Sequence, residues 1–383
     1  MQKEKLGIYV HIPFCKSKCG YCDFCSHPPK KGEADRYLNA LMLNMQDFSG
    51  AAQDFSVDTV YIGGGTPTLL TKKQMKDLVE CIYSSFNVEK GAEFTVEANP
   101  GTVDKGYLKH LASLGINRIS FGLQSASDIE LRTLGRIHFA KDFIESFKAA
   151  RAAGFTNISV DLMYGIPYQT LESFEKTLEL VKSLRPEHIS VYGLKIEEGT
   201  RFFEEQDTLP LPDEETEYKM YRTAHSLLEG AGYEHYEISN YARAGFASKH
   251  NLRYWNNEKY LGFGVSAHSY FSAQRFAFTK DIEKYMCEME KSEPNIQSIL
   301  SECNDIDIFT RESEYVMLRM RLFKGVNLAQ YYSTFGEDFA KKYGEKLARY
   351  INGGFVTLDD KKCAFTLKGM YVSNYILSDI LDF

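Results

Sequence analysis

The chain has 383 residues, 44% of them apolar and 25% charged, which suits one large domain with one or two appendages. A net charge of −7 argues against a nucleic-acid partner, because duplex affinity rests on basic side chains that neutralise phosphates. No apolar run is long enough to span a bilayer, and the opening MQKEKLGIYV resembles neither a signal peptide nor a transit segment, so a cytoplasmic protein is expected.

From residue 7 to about 195 the pattern cycles through a short β-branched run, a polar or glycine residue, then a helical stretch. The expected strands are GIYVHIPF (7 to 14), TVYIGGG (59 to 65), EFTVEAN (93 to 99), RISFGLQ (118 to 124), NISVDLMYGIP (157 to 167) and HISVYGL (188 to 194). KKQMKDLVECIYSSF and DFIESFKAARAAG place apolar residues three and four apart, so helices separate the strands. Strand and helix in alternation predict a parallel sheet. His11, the first cysteines, Gly63 to Thr66, Glu97, Gln124 and Asp161 all sit toward the C-terminal ends of their strands, where a parallel barrel assembles its site. Six uneven units predict a partial (β/α)6 barrel within an α/β fold, splayed enough to admit a large ligand, over residues 1–200.

Beyond residue 196 the pattern changes. Asp213 is expected to cap a helix through EETEYKMYRTAHSLLEGAG, and residues 201–300 read as a connecting region of loops and short strands holding the single Trp. Residues 301–383 read as helices followed by the hairpin FVTLDDKKCAFTL, a winged-helix-like α+β unit whose mild charge gives no support to DNA binding.

Four of the eight cysteines, Cys15, Cys19, Cys22 and Cys25, fall within eleven residues, whereas Cys81, Cys287, Cys303 and Cys363 are scattered and expected to be buried as small apolar residues. In a reducing compartment bunched thiols point to a metal or redox site. Structural zinc usually takes two separated ligand pairs, and the second pair is missing, although His11, His27 or Cys25 could complete a zinc set. A thioredoxin-like pair needs a single C-x-x-C before a helix. The remaining reading is an iron–sulfur cube with three irons on cysteine and the fourth open to a small chelating ligand, with Cys25 a bystander. GGGTPT (63 to 68) lacks the Lys of a P-loop and the spacing of G-x-G-x-x-G. Its glycines admit close backbone approach to a ligand, and Pro67 stiffens the turn. In isolation Glu97 and Asp161 read more readily as helix caps than as ligand contacts.

The spacing C-x3-C-x2-C, with an aromatic residue before the last cysteine, resembles the signature of radical S-adenosylmethionine (SAM) proteins. That resemblance implies a 4Fe-4S cluster on Cys15, Cys19 and Cys22, with SAM on the open iron and cleaved by one electron from the cluster. It implies further that Gly64, Gly65 and Thr66 hold the amino group of SAM, that Glu97, Gln124, Arg136 and Asp161 contact the rest of it, and that Tyr9 and Tyr21 are aromatic contacts beside the cluster.

Across nearly its whole length the chain is similar to the family containing oxygen-independent coproporphyrinogen III oxidase and the HemW-type heme chaperones, through YVHIPFCKSKCGYCDF, GGGTPT, EANP, FGLQS and DLMYGIPYQT. Three features point to the chaperone branch: little sequence ahead of Tyr9, Phe24 where the oxidase has a cysteine, and HNLRYW (250 to 255). The resemblance implies heme contacts at His250, Asn251, Tyr254 and Trp255, with His250 a candidate axial ligand. It implies a protein that carries heme to heme-requiring membrane enzymes, compatible with peripheral association with membrane proteins and with a dimer. The competing expectation is catalysis, either decarboxylation of coproporphyrinogen III in porphyrin biosynthesis or a radical methylation.

Overall fold

The computed structural model describes residues 3–381. Strands β1 (Glu4–Ile12), β2 (Phe55–Gly64), β3 (Val88–Ala98), β4 (Arg118–Gln124), β5 (Ile158–Tyr164) and β6 (His188–Gly193) lie side by side in chain order, every pair parallel. Buried on both faces, they read as near-continuous apolar runs broken by inward polar residues. In β4, Ile119, Phe121 and Leu123 enter the main hydrophobic core, while Arg118, Ser120, Gly122 and Gln124 border a cavity on the other face.

The intervening helices cover the outer face, and two match their sequence signals closely. Lys72–Ser85 begins with a capping box in which the Gln74 N–H donates to Thr71 Oγ1 at 3.2 Å and the Thr71 N–H to Gln74 Oε1 at 2.8 Å. Ala140–Ala153 closes on Gly154.

Residues 201–300, expected to connect two units, also extend the sheet. Asp213 caps the helix Glu214–Gly230, accepting from the Thr216 N–H at 2.8 Å. Strands β7 (Glu234–His235) and β8 (Asn240–Ala242) then add antiparallel beyond β6. Beyond β1, β9 (Tyr260–Phe263) pairs parallel, followed by antiparallel β10 (His268–Phe271), β11 (Gln274–Phe278) and β12 (Leu300–Asp305). The twelve strands run from β12 to β7 without closing, which is the splayed arc expected of a partial barrel.

A second core, around Val316, Met320, Tyr331, Leu347 and Ile376, belongs to the C-terminal unit. Helix Ile308–Arg319, β13 (Val326–Asn327), helices Leu328–Phe335 and Phe339–Asn352, then β14 (Val356–Leu358) and β15 (Lys362–Phe365), follow the order of a winged helix. Two of the scattered cysteines differ from expectation: Cys81 and Cys363 are buried, but Cys287 and Cys303 are exposed. Cys303 lies on the open edge strand β12, and Cys287 accepts from Arg36 at 3.3 Å among surface charges.

The C-terminal unit meets the sheet at a bridge between Glu237 and Leu322, with the Ile238 N–H donating to the Arg321 carbonyl at 3.0 Å. Glu237 is fully buried. Burial pushes its pKa up to about 7, with donors of Asn240 and the Ser239 backbone, and then Arg321, opposing the shift. The folded state therefore holds this proton more tightly than the unfolded chain, and stability falls as pH rises from about 4.5 to about 7. Glu237→Gln removes that loss. The variant should melt close to the native protein at pH 5 and be more stable by about 3 kcal/mol at pH 8; equal melting at both pH values would show that Glu237 carries no such penalty.

Candidate functional site

The loop after β1 is fastened to its neighbours by backbone hydrogen bonds. The Cys15 N–H donates to the His27 carbonyl at 3.0 Å, the His27 N–H to Pro13 at 2.9 Å, and the Gly20 N–H to Leu134 at 2.9 Å. From the other side the glycine turn after β2 grips the same loop: the Gly65 N–H donates to Ile12 at 2.8 Å and the Thr66 N–H to Phe14 at 2.7 Å. A Cβ on Gly65 would stand 2.6 Å from the Phe14 carbonyl oxygen, and one on Gly64, whose φ is 111°, would strike the His11 ring. The sequence suggested that these glycines admit a ligand; here they first admit the cysteine loop itself.

Cys15, Cys19 and Cys22 are half-buried and all three border one cavity of about 430 Å³. Cys15 Sγ lies 3.3 Å from Thr66 Oγ1, and the Arg136 guanidinium points Nη1 at Cys19 Sγ from 3.9 Å. The side chains that could complete a zinc set are engaged elsewhere. His11 contacts Tyr9 Oη at 2.9 Å and the Cys25 carbonyl at 2.9 Å, His27 contacts Glu33 at 3.2 Å, and Cys25 turns its thiol to the Lys280 carbonyl at 3.5 Å. Among the described residues no three His, Cys, Asp or Glu side chains converge tightly enough for a single metal ion. The donor set is three thiols spread across a cavity mouth, which fits an inorganic cube with one corner free of protein.

The rest of the wall comes from strand ends. Glu97 accepts from Tyr61 Oη at 2.8 Å and from the Gly64 N–H at 3.0 Å; burial raises its pKa to about 7, with Asp161 adding to the shift. Asp161 sits mid-strand rather than at the end of β5 and accepts from Ser190 at 2.7 Å and Ser120 at 3.1 Å, its pKa also raised by burial. A carboxylate has about four lone-pair sites, so Glu97 retains acceptor capacity toward the cavity. Gln124 borders the same space with a left-handed φ of 69° and an Oε1 that has no partner. Arg136 donates to Asn99 Oδ1 at 2.9 Å and closely to the Gly122 carbonyl.

The structure therefore gathers Cys15, Cys19, Cys22, Tyr21, Gly64, Gly65, Glu97, Gln124, Arg136, Asp161 and Asn251 around one cavity. Five expected residues lie off its wall. Tyr9 is half-buried and holds His11. Tyr254 and Trp255 pack elsewhere, Tyr254 edge-on to Tyr260 and Trp255 under Arg321. His250 is 1% exposed, with Nδ1 3.0 Å from Thr59 Oγ1 and Nε2 2.8 Å from Tyr254 Oη, so iron ligation through either nitrogen would require the contact at that nitrogen to break. Thr66 is buried behind Cys15. The helix Lys249–Trp255 carrying the HNLRYW segment is pinned to the other end of the arc: Glu93 accepts from the His250 N–H at 3.0 Å, and Arg253 is paired with Asp58. Arg118, His188 and Tyr192 also border the cavity, and sequence reading passed over them.

A parallel open arc with a three-cysteine loop at the C-terminal edge of its first strand defines a radical SAM protein. The radical SAM superfamily pattern matches residues 9–181, and the HemN C-terminal domain matches residues 310–372. The solved structure of coproporphyrinogen III oxidase from Escherichia coli, described as a radical SAM enzyme, superposes with a TM-score of 0.87 over 99% of this chain and 90% of its own at 24% identity, which shows the shared fold. Heme chaperone HemW of Bacillus subtilis is 36% identical over 98% of this chain and 99% of its own, and that of Lactococcus lactis 34% identical over 100% and 98%. The chain belongs to the HemW family of the radical SAM superfamily. That membership implies a 4Fe-4S cluster and SAM. No helix among the described residues is long and apolar enough to cross a membrane.

Serine substitution separates the four bunched cysteines. After anaerobic reconstitution, Cys15→Ser, Cys19→Ser and Cys22→Ser should each lose most of the iron and the broad absorbance near 400 nm, whereas Cys25→Ser should retain both at about the native level. Loss of iron in Cys25→Ser would make Cys25 a ligand.

Proposed function

We propose that this chain binds a 4Fe-4S cluster on Cys15, Cys19 and Cys22, binds SAM in the adjoining cavity, and holds heme for delivery to heme-requiring acceptor proteins. The observation that carries the reading is the placement of three cysteines, without a fourth protein ligand, at the mouth of the cavity in a chain that matches proteins named heme chaperone from end to end. When bound, the cluster supplies one-electron reduction of a sulfonium. The chain supplies the setting. Arg136 places positive charge beside Cys19, offsetting the negative charge that gathers when thiols ligate iron. Glu97 and Asp161, each held by hydroxyl donors, offer acceptors for an ammonium group or for ribose hydroxyls, and Gln124 offers a carbonyl with no competing partner. The chain covers both ends of the space, with the cysteine loop at one and the helix Lys249–Trp255 at the other.

Heme capture and release test this directly. Reconstituted protein loaded with heme and mixed with an apo-cytochrome should pass heme to it, read as loss of the donor spectrum and gain of the acceptor's. Decarboxylation of coproporphyrinogen III in the presence of SAM, without heme transfer, would replace the reading with catalysis.

His250 has a separate signature. Because its ring bridges Thr59 and Tyr254 inside the fold, His250→Ala should cost about 2–4 kcal/mol of stability and leave the absorption bands of bound heme in place. A shifted heme spectrum in a variant of unchanged stability would instead return His250 to the iron.

A further inference from the structure

Arg118 opens β4 at the end of the cavity away from the cysteine loop. It is 2% exposed, and its guanidinium makes no hydrogen bond or ion pair with any described residue; Nε is enclosed without an acceptor. A buried guanidinium is normally paired, because an unpaired buried charge is strongly destabilising. The groups around it do not meet the need. Its register partner on β3, Thr95, is fully buried with its own hydroxyl unpartnered. His188 is saturated, with Nδ1 2.8 Å from Ser159 Oγ and Nε2 2.8 Å from Tyr236 Oη. Glu97 and Asp161 are near enough to feel the charge of Arg118, yet neither forms an ion pair with it. From the helix Lys249–Trp255, Asn251 borders the same cavity, and its carboxamide makes no hydrogen bond with a described residue.

We propose that Arg118 and Asn251 form a carboxylate-binding site on the floor of the cavity. The guanidinium is a planar fork suited to both oxygens of a carboxylate, and the Asn251 amide adds a third donor. The site takes a carboxylate-bearing arm of the molecule that fills the cavity and fixes how deep that molecule sits. On the functional reading above, heme carries such an arm in its propionates, whereas the carboxylate of SAM shares a carbon with the amino group assigned to the glycine turn and so stays at the cluster end. The site itself does not depend on that reading; only the assignment of the arm to heme does.

The test starts with the bare group. About 100 mM propionate should raise the melting temperature of the full chain by more than the same concentration of propionamide. Arg118→Met and Asn251→Asp should abolish the difference, and Arg118→Lys should keep part of it. If Arg118→Met does not fold, Asn251→Asp carries the test, since it sets a negative charge against the incoming carboxylate without removing Arg118. The second arm compares heme with its dimethyl ester. Heme should lose about tenfold in affinity in Arg118→Met, while its dimethyl ester binds native and variant protein equally. A propionate effect that depends on Arg118, with heme affinity unchanged, keeps the site and removes heme as its source. A native protein that binds neither heme nor SAM, but keeps the propionate effect, rejects the functional reading and leaves the site standing. Identical propionate responses in native, Arg118→Met and Asn251→Asp proteins overturn the site.

Discussion

Parallel strands end on the same edge of their sheet, and at that edge the backbone leaves the hydrogen-bonded ladder and turns into loops. Six such ends in succession give this protein one rim where residues far apart in sequence must meet. The rim alone would be a set of mobile loops. What makes it a site is the locking of one loop against another: Gly65 and Thr66 donate to Ile12 and Phe14, and the His11 ring spans from Tyr9 to the Cys25 carbonyl. With His11 held in that bridge and Cys25 turned toward Lys280, three thiols are left facing the cavity.

The electrostatics of the cavity follow from the same geometry. Interior positions of the arc carry two carboxylates, Glu97 and Asp161, and two guanidiniums, Arg136 and Arg118, in a space largely shielded from water. The carboxylates accept from hydroxyls, Arg136 donates to backbone and amide oxygens, and Arg118 has no partner among the described residues. Positive charge therefore stands near the cysteines at one end and without an ion-pair partner at the other.

Much of this was readable before any fold was known, because strand ends announce themselves through a break in the apolar run followed by Gly, Asn or a carboxylate. The Asp213 cap, the helix ending on Gly154 and the strand RISFGLQ fall where sequence signals put them. The interior polar residues were harder. Arg118, Ser120, Gly122 and Gln124 alternate with Ile119, Phe121 and Leu123, a period-two signal for an inward polar face, but in a strand covered on both sides it hides within an apolar average. The role of His250 was out of reach for another reason: its hydrogen-bond partner Thr59 lies 191 residues away, and no local pattern reports such a contact. Residues 201–300 read as a connecting region of loops and short strands because each strand there is brief, and the membership of β9 to β11 in the main sheet depends on pairing with β1 at the far end of the chain.

At the centre of the account is a cluster whose fourth iron is free to take SAM. Electron paramagnetic resonance of the anaerobically reconstituted, chemically reduced protein, recorded before and after addition of SAM, tests this most directly. The account predicts the signal of a reduced 4Fe-4S cluster whose g values change when SAM is added. A cluster whose signal is indifferent to SAM, or metal analysis showing zinc in place of iron, would contradict it.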